Sequence, residues 1–471
     1  MTDRRLLFAA IAAYAAGFGA LSVLRHRSFE TGRFDLGNMV QAVWSTAHGH
    51  PLEVTNLAGE QTSRLASHVD PILVLFAPLW LVWPSPSLLL VAQSVAIALG
   101  ALPVFWLARK HLASPHAALG FALAYLLYPA TQWVTLSEFH PVALACPTLL
   151  YAFWYLDENR LVPFAIFAAL ACLTKEEVPL AVAGLGVWYA LARGRRREGA
   201  VIALAGVALA ALAVGVVQPH FGESDEPFAG RYEEVGGTVG GILKTAVTDP
   251  LTLVRVAFDE RGLGYLVRLL VPLAFLPLGS PLALLPALPD LALNLLSSTR
   301  TQTSIHFHYA APLIPAFFAA AIFTAAKLRR NVAPLLVALM IVANFALGAI
   351  PIWAAIPGGE DLQARSALVS EHDRIAERAL ELIPDGAVVS ASNSLGAHLS
   401  ARRRFLSFPV RGDATWIAVD ERSPGYLDRI APGPYRIAIR RLRADPHWRR
   451  VFDADGVLVF RRESSAAAGT P

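Results

Sequence analysis

The sequence predicts an α-helical polytopic membrane protein with a small α/β domain at its C-terminal end. Three observations carry this reading. First, 55% of the residues are hydrophobic and 16% charged, where soluble domains carry about 25% charged residues. Second, the deficit is uneven: residues 1–355 read as long apolar runs broken by short polar clusters, whereas 356–462 are rich in Arg and Asp. Third, the short loops between apolar runs segregate by charge, as expected of loops sorted by a membrane. The predicted organisation is a transmembrane domain over 1–355, with long loops at 25–86 and 219–262. An α/β domain follows over 356–462, then a disordered tail over 463–471.

At the N-terminus, Arg4 and Arg5 precede an apolar stretch from Leu6 to Leu24. A transmembrane helix needs about 20 residues, and a signal-peptide apolar region only about 7–15. The stretch therefore reads as a first span that is not cleaved. Further apolar runs predict spans near 87–108, 117–135, 141–156, 161–174, 177–193, 199–218, 264–279, 281–297, 308–326 and 333–351, eleven in all. The run 71–83, bounded by Pro71 and Pro84, is too short and reads as a half-helix or interfacial helix.

Placing the N-terminus inside puts the basic clusters Arg109–His111, Arg193–Arg197 and Lys327–Arg330 in inner loops. Three independent loops then agree with the positive-inside rule. The long loops fall outside, one of them carrying Glu223, Asp225, Glu226, Glu233 and Glu234. An odd span count places the C-terminal domain outside too. The expectation is a multi-pass inner (plasma) membrane protein with a cytoplasmic N-terminus.

In the tail, Ala364 to Ile383 looks helical, and 386–392 and 415–420 read as short buried strands. Leu427 to Leu442 is ambiguous, and 451–462 reads as a hairpin with Asp455-Gly456 at its turn. Cys146 and Cys172 lie in apolar runs, so buried inert thiols are expected rather than a disulfide framework. The net charge of +4 is accounted for by loop topology and gives no reason to invoke nucleic acid.

The chosen parity sends six polar clusters to the outer face: FDLGN (34–38), SHVDP (67–71), SEFHP (137–141), TKEE (174–177), RYEEVGG (231–237) and SSTRTQTSIHFHY (297–309). Ionisable groups are costly at membrane depth and tend to mark functional cavities. A lipid-phosphate sugar donor would present its head group at that depth. Its phosphate is a good leaving group, so a base for the acceptor hydroxyl and a cation for the phosphate form a sufficient minimum.

Asp35 is the candidate base, the alternative being a cap on a helix over 36–47. Lys175 is the candidate phosphate cation, steadied by Glu176; a loop ion pair is the alternative. Arg300 suits bidentate phosphate contact. Glu138 ranks as a second carboxylate or as a partner for His140. His68, Asp70, His140, His306 and His308 complete the candidate binding set. His306 and His308 would share a face only if extended, and on a helix lie about 200° apart. His48 and His50 add possible ligands, but no motif has a diagnostic metal spacing, so no metal is expected and a divalent ion remains the lesser alternative. Asp290, inside a predicted span, needs a partner that the sequence does not name.

The set F-D-L-G-N-x-x-Q-x-x-W (34–44), S-H-x-D-P (67–71), E-F-H-P (138–141), T-K-E-E (174–177) and H-x-H-Y (306–309) resembles the polytopic family catalogued as domain of unknown function 2079, from about residue 8 to 420. That family resembles the GT-C glycosyltransferases. The resemblance implies an acidic residue in the first outer loop, matched by Asp35, and a polyprenyl-phosphate-linked sugar as donor. The acceptor would be an unidentified extracytoplasmic glycan, lipid or protein. Asp35-Leu36-Gly37 lacks the second acid of metal-using members, which favours metal-independent inverting transfer. Two other readings stand beside it: a transporter or flippase, and a noncatalytic binding or assembly factor on the same fold.

Overall fold

The computed structural model describes residues 2–222, 229–360 and 368–463. Glu223, Asp225 and Glu226 of the expected acidic loop, the 364–367 start of the expected tail helix and residues 464–471 of the expected disordered tail lie outside them. Among the described residues, three helices are long and apolar enough to cross a membrane: Asp3–Arg27, Pro86–Leu112 and Arg196–Phe221. Seven shorter apolar helices accompany them, Pro71–Val82 at the run too short to span. The chain divides into two compact units. One comprises Met1–Ala20, Leu65–Ile72 and Val91–Ala364; the other comprises Leu21–Arg64, Leu73–Leu90 and Arg365–Pro471.

The helices that organise the first unit are α1 (Thr2–Arg27, shared with the second), α2 (Leu161–Cys172), α3 (Val178–Ala192), α4 (Arg196–Leu212), α5 (Leu288–Leu296) and α6 (Leu313–Leu328). Without a hydrophobic drive between helices in lipid, small residues let backbones approach. This unit uses that device around α3. A Cβ on Gly206 of α4 would lie 2.5 Å from the Pro179 carbonyl oxygen, and one on Gly199 would lie 2.5 Å from the Gly186 carbonyl oxygen. On the other flank, a Cβ on Gly184 would meet the Leu285 carbonyl oxygen at 2.6 Å. α3 is thus gripped on two sides, which fixes the turn that precedes it.

The run 264–279 is not one helix. A helix over Glu260–Leu270 ends there, Ala274 and Phe275 take positive φ (51° and 56°), and a short 3-10 turn covers Leu276–Gly279. Pro272 and Pro277 explain the break, since each removes a backbone donor and disfavours helical geometry before it. The run 117–135 is likewise interrupted at Pro129, between helices Pro115–Leu127 and Pro129–Leu136. Buried Gln93 ties this region together. Its side-chain amide donates to the carbonyls of Thr135 (3.0 Å) and Glu138 (2.5 Å), and its oxygen accepts from the His140 amide (3.0 Å).

Among the described residues, the second unit holds seven strands: β1 (Glu53–Thr55) and β2 (Gln61–Ser63) as a hairpin, then β3 (Val389–Ala391), β4 (Phe405–Ser407), β5 (Trp416–Asp420), β6 (Trp448–Ala454) and β7 (Val457–Arg462). The last five form a sheet of order β4-β3-β5-β7-β6, parallel among the first three and antiparallel thereafter. Strand alternation splits its core in two. Ala418, Val457 and Val459 face helices α7 (Glu371–Leu380) and α8 (Asn393–Leu399), whereas Ile417, Val419, Leu458 and Phe460 face α9 (Pro432–Ala444). The ambiguous stretch from Leu427 is helical, as a short helix Tyr426–Ile430 followed by α9.

The segment after α1 is built into this unit. A π-turn over Arg33–Gly37 leads into a helix over Asn38–Ala47. Buried Arg33 donates to the Thr55 carbonyl and lies 5.5 Å from the Phe405 ring centroid. Gln41 donates to the Arg403 carbonyl at 2.9 Å. The turn meets α8 closely: a Cβ on Gly396 would sit 2.4 Å from Arg33 Cβ, and one on Gly37 would sit 2.5 Å from Ser400 Oγ.

Candidate functional site

The turn between α2 and α3 presents three ionisable residues in a row. Thr174 closes the end of α2 by donating to the Ala171 carbonyl (2.6 Å), and Pro179 opens α3 where its missing donor costs nothing. Between them Lys175 pairs with Glu177 at 2.6 Å, each side chain 15% exposed. Glu176 faces the segment 67–69: one oxygen meets His68 Nδ1 at 2.8 Å and the other accepts the Val69 amide at 2.9 Å. The TKEE and SHVDP motifs are therefore one structural feature.

Together they line a cavity of about 230 Å³. Its polar wall contains His68, Lys175, Glu176, Glu177, Arg231, Tyr232, Asp290, Asn294, Gln302 and His308. Its apolar wall includes Leu180, Ala210, Val214, Val239, Ile242 and Leu293. Asn294 of α5 donates to the Tyr309 carbonyl at 3.1 Å, and the Ser298 amide donates to the Arg231 carbonyl at 2.8 Å, which joins three distant stretches of chain. His140 stacks on His308, with centroids 3.7 Å apart.

Electrostatics sharpen the picture. Burial works against the charge of Lys175, but Glu177 and Glu176 outweigh it and raise its pKa. Burial also works against an ionised Glu176, yet His68, through charge and hydrogen bond, and Lys175 outweigh it and hold the carboxyl well below its usual range. Two buried atoms on the cavity wall have no hydrogen-bond partner: Asp290 Oδ2 and His308 Nδ1. A buried polar atom without a partner costs about 1–3 kcal/mol, so such atoms in a cavity wall are suited to a polar ligand.

The residues singled out in the sequence fall into groups. His68, Lys175, Glu176 and His308 line the cavity, and His140 supports it through the ring stack. Glu138 holds a left-handed turn (φ 52°) whose backbone Gln93 pins, and Asp70 is buried. His306 points elsewhere, edge-on to Trp133 and 3.9 Å from Glu360, so the two His of H-x-H diverge. Arg300 sits exposed on a turn and does not line the cavity. Asp35 belongs to the second unit, half-buried on the π-turn. It does not cap the following helix, whose N-cap is Gly37 without any side-chain cap.

Arg231, Tyr232, Glu177, Asn294 and Gln302 were not singled out individually. Arg231 and Tyr232 lie in RYEEVGG and Glu177 in TKEE, so the signal was present at motif level. The uncapped demand of Asp290 for a partner was the other clue. Among the described residues no group of three or more His, Cys, Asp or Glu is placed to hold a metal ion.

Two helices give the unit two distinct ends. α3 starts at the cavity, with Glu177 and Leu180 in its wall, and ends at a second cavity lined by Trp188, Ala192 and Arg193. α6 does the same, from Pro312 to Phe323 and Lys327. At about 1.5 Å per residue, the nearest wall residues of the two cavities lie about 12 Å apart along α3 (Leu180 to Trp188) and about 16 Å apart along α6 (Pro312 to Phe323). The second cavity brings together residues from all three basic clusters: His111, Arg193, and Lys327 with Arg329.

A family described as predicted membrane protein (DUF2079) matches residues 25–459. No curated protein matches the chain.

Proposed function

The chain belongs to the DUF2079 family of predicted membrane proteins, and from that premise we propose that it is a GT-C-type glycosyltransferase. It would move a sugar from a polyprenyl-phosphate donor to an extracytoplasmic hydroxyl acceptor, in an inner membrane crossed by about eleven spans. The observation that carries the reading is the composition of the cavity at the start of α3. Cations from distant stretches, Lys175 and Arg231, share a small space with Asp290, whose Oδ2 lacks a partner, beside an apolar wall. That combination matches a phosphate, a polyol and an isoprenoid joined in one molecule.

In this proposal Lys175 and Arg231 hold the lipid phosphate and stabilise the charge it gains on leaving. Asp290 Oδ2 accepts a hydrogen bond from a sugar hydroxyl. The acceptor oxygen attacks the anomeric carbon from the face opposite the phosphate. The bond from that carbon to the phosphate oxygen breaks, and configuration inverts. Asp35 is the proposed base for the acceptor proton, the role that the resemblance to GT-C enzymes implies for an acidic residue in the first outer loop. Leu180, Val239 and Ile242 face the first isoprene units.

The test is release of lipid phosphate by the purified protein from a panel of polyprenyl-phosphate sugars. Asp35→Asn is expected to lower the rate by about 10²–10⁴, the usual worth of a general base, and Asp290→Asn to weaken donor use. Equal release by wild type and Asp35→Asn removes Asp35 from the role. Loss only in Asp290→Asn would move the base into the cavity. Movement of intact lipid-linked sugar across proteoliposomes without release would replace the transferase reading with a flippase.

A further inference from the structure

The second cavity, at the far end of α3 and α6, plays no part in the chemistry above. Its volume is about 820 Å³, within the about 300–1,000 Å³ typical of ligand sites. Its walls are apolar and aromatic. Trp188 and Phe323 lie nearly parallel (3°) with centroids 6.0 Å apart, and Pro281, Leu282 and Ala283 complete the lining. Its rim is basic: Arg193 follows α3, Lys327 lies in the last turn of α6 and Arg329 caps it, and among the described residues no acidic side chain lines the cavity.

The surrounding ion pairs leave charge over. Buried Asp157 takes Lys110 (2.8 Å), His111 (2.9 Å) and Arg193, while Glu158 takes Lys110 (2.5 Å). Lys327 donates to the Gly279 carbonyl at 2.9 Å, and both Lys327 and Arg329 are exposed. Lys110, Arg193, Lys327 and Arg329 therefore outnumber the two carboxylates. Charge sorting of loops explains why these loops are basic. It does not explain why they converge on one apolar hollow.

A small inorganic anion would use the rim and leave the aromatic walls idle. A neutral lipid would use the walls and leave the cations idle. An anionic amphiphile uses both. We propose that this cavity binds an anionic phospholipid, with its phosphate against Lys327 and Arg329 and the start of its acyl chains along Trp188, Leu282 and Phe323. The proposal rests on membrane embedding and not on the transferase reading.

The test uses the full-length protein in detergent micelles, with phosphatidylglycerol, phosphatidylcholine or inorganic phosphate added, read by thermal unfolding and native mass spectrometry. Phosphatidylglycerol is expected to raise the unfolding temperature and to stay bound, and the other two to do neither. Each cation near a lipid surface contributes about fivefold in affinity, so Lys327→Ser with Arg329→Ser should weaken phosphatidylglycerol binding about thirtyfold. Lys244→Ser with Arg255→Ser removes the same charge from exposed positions elsewhere in the unit and should leave binding intact. Leu282→Trp, which narrows the hollow without changing charge, should also weaken binding, and it keeps the test decisive if the double rim variant fails to fold. Equal effects of phosphatidylcholine, a full effect of inorganic phosphate, or unchanged binding in both the rim and Leu282→Trp variants would overturn the proposal.

Discussion

Replacing Lys175 with Met should destabilise the first unit far more than its single ion pair suggests, and a double-mutant cycle with Glu177→Gln should show why. Lys175 and Glu177 lie 2.6 Å apart with side chains only 15% exposed. Removing one member of a buried pair typically costs about 3–5 kcal/mol, because the other is left charged without compensation. Here Lys175 also offsets Glu176, so Lys175→Met should fall toward the upper part of that range. Glu177→Gln should cost less, since Lys175 keeps Glu176 as a neighbour. The double variant leaves no stranded Glu177 charge, so its loss should fall short of the summed single losses by about 1–3 kcal/mol. The assay is reversible denaturant unfolding of the four proteins in micelles, followed by tryptophan fluorescence. Additivity within about 0.5 kcal/mol would refute the claim that this pair is coupled in a poorly solvated site.

Other perturbations follow from the same geometry. Gly206→Val should push α4 off α3 and cost about 1–3 kcal/mol by overpacking, seen as a lowered unfolding midpoint, because the new Cβ meets backbone that cannot swing away. Gln93→Leu removes the acceptor of the His140 amide and the donor to the Val134, Thr135 and Glu138 carbonyls, and should cost about 1–3 kcal/mol per group left unpaired, with hydrogen exchange rising locally over 136–141. In the second unit, burial opposes the charge of His372, but Asp420 and Asp455, on its two ring nitrogens at 2.8 and 2.9 Å, raise its pKa above 6.5. A raised folded pKa contributes stability that is complete below 6.5 and fades as pH rises through the higher folded value. Amides of α7 should therefore be better protected from exchange at pH 5.5 than at pH 8.5, after correction for intrinsic rates, and His372→Asn should remove that difference.

The parts of the fold that were legible are those with local causes. Asp455-Gly456 between two alternating runs announces the β6–β7 hairpin, and apolar runs bounded by charge announce α3, α4 and α6. β4 escaped because, unlike the apolar run around the equally short β3, it follows a run of Arg residues and its strand character is supplied by pairing with β3. The run 264–279 shows a signal underweighted against hydropathy: Pro272 and Pro277 were in plain view. The inclusion of 21–64 in the second unit could not be read at all. It depends on Gly37 and Gly396 admitting the side chains of Ser400 and Arg33 at distances that only the folded chain defines. The site divides the same way. TKEE and SHVDP each signalled polar residues in an apolar setting, but the His68–Glu176 contact spans 108 positions. Arg300 drew attention as a cation in a polar run, whereas the run carrying Arg231 supplies the cation that lines the cavity.

The distribution of charge along α3 and α6 opposes passage of a charged head group through the first unit. α3 carries no ionisable acid or base over Val178–Ala192 apart from Tyr189, and α6 has none over Leu313–Ala326. Both helices pass from the polar cavity to the basic rim of the second one through apolar or small residues. A transporter that moves a charged head group needs polar groups near the midpoint of its path, commonly at broken helices. Here the residues between the two ends include Phe317, Phe318 and Leu185, all buried, with Gly186 occupied by the close approach of α4. A charged ligand crossing there would lose its hydration without replacement contacts, at a cost of several kcal/mol or more. Chemistry completed at one end, without passage, avoids that cost. This is why the cavity at the start of α3 favours transfer at a surface over transport through the unit.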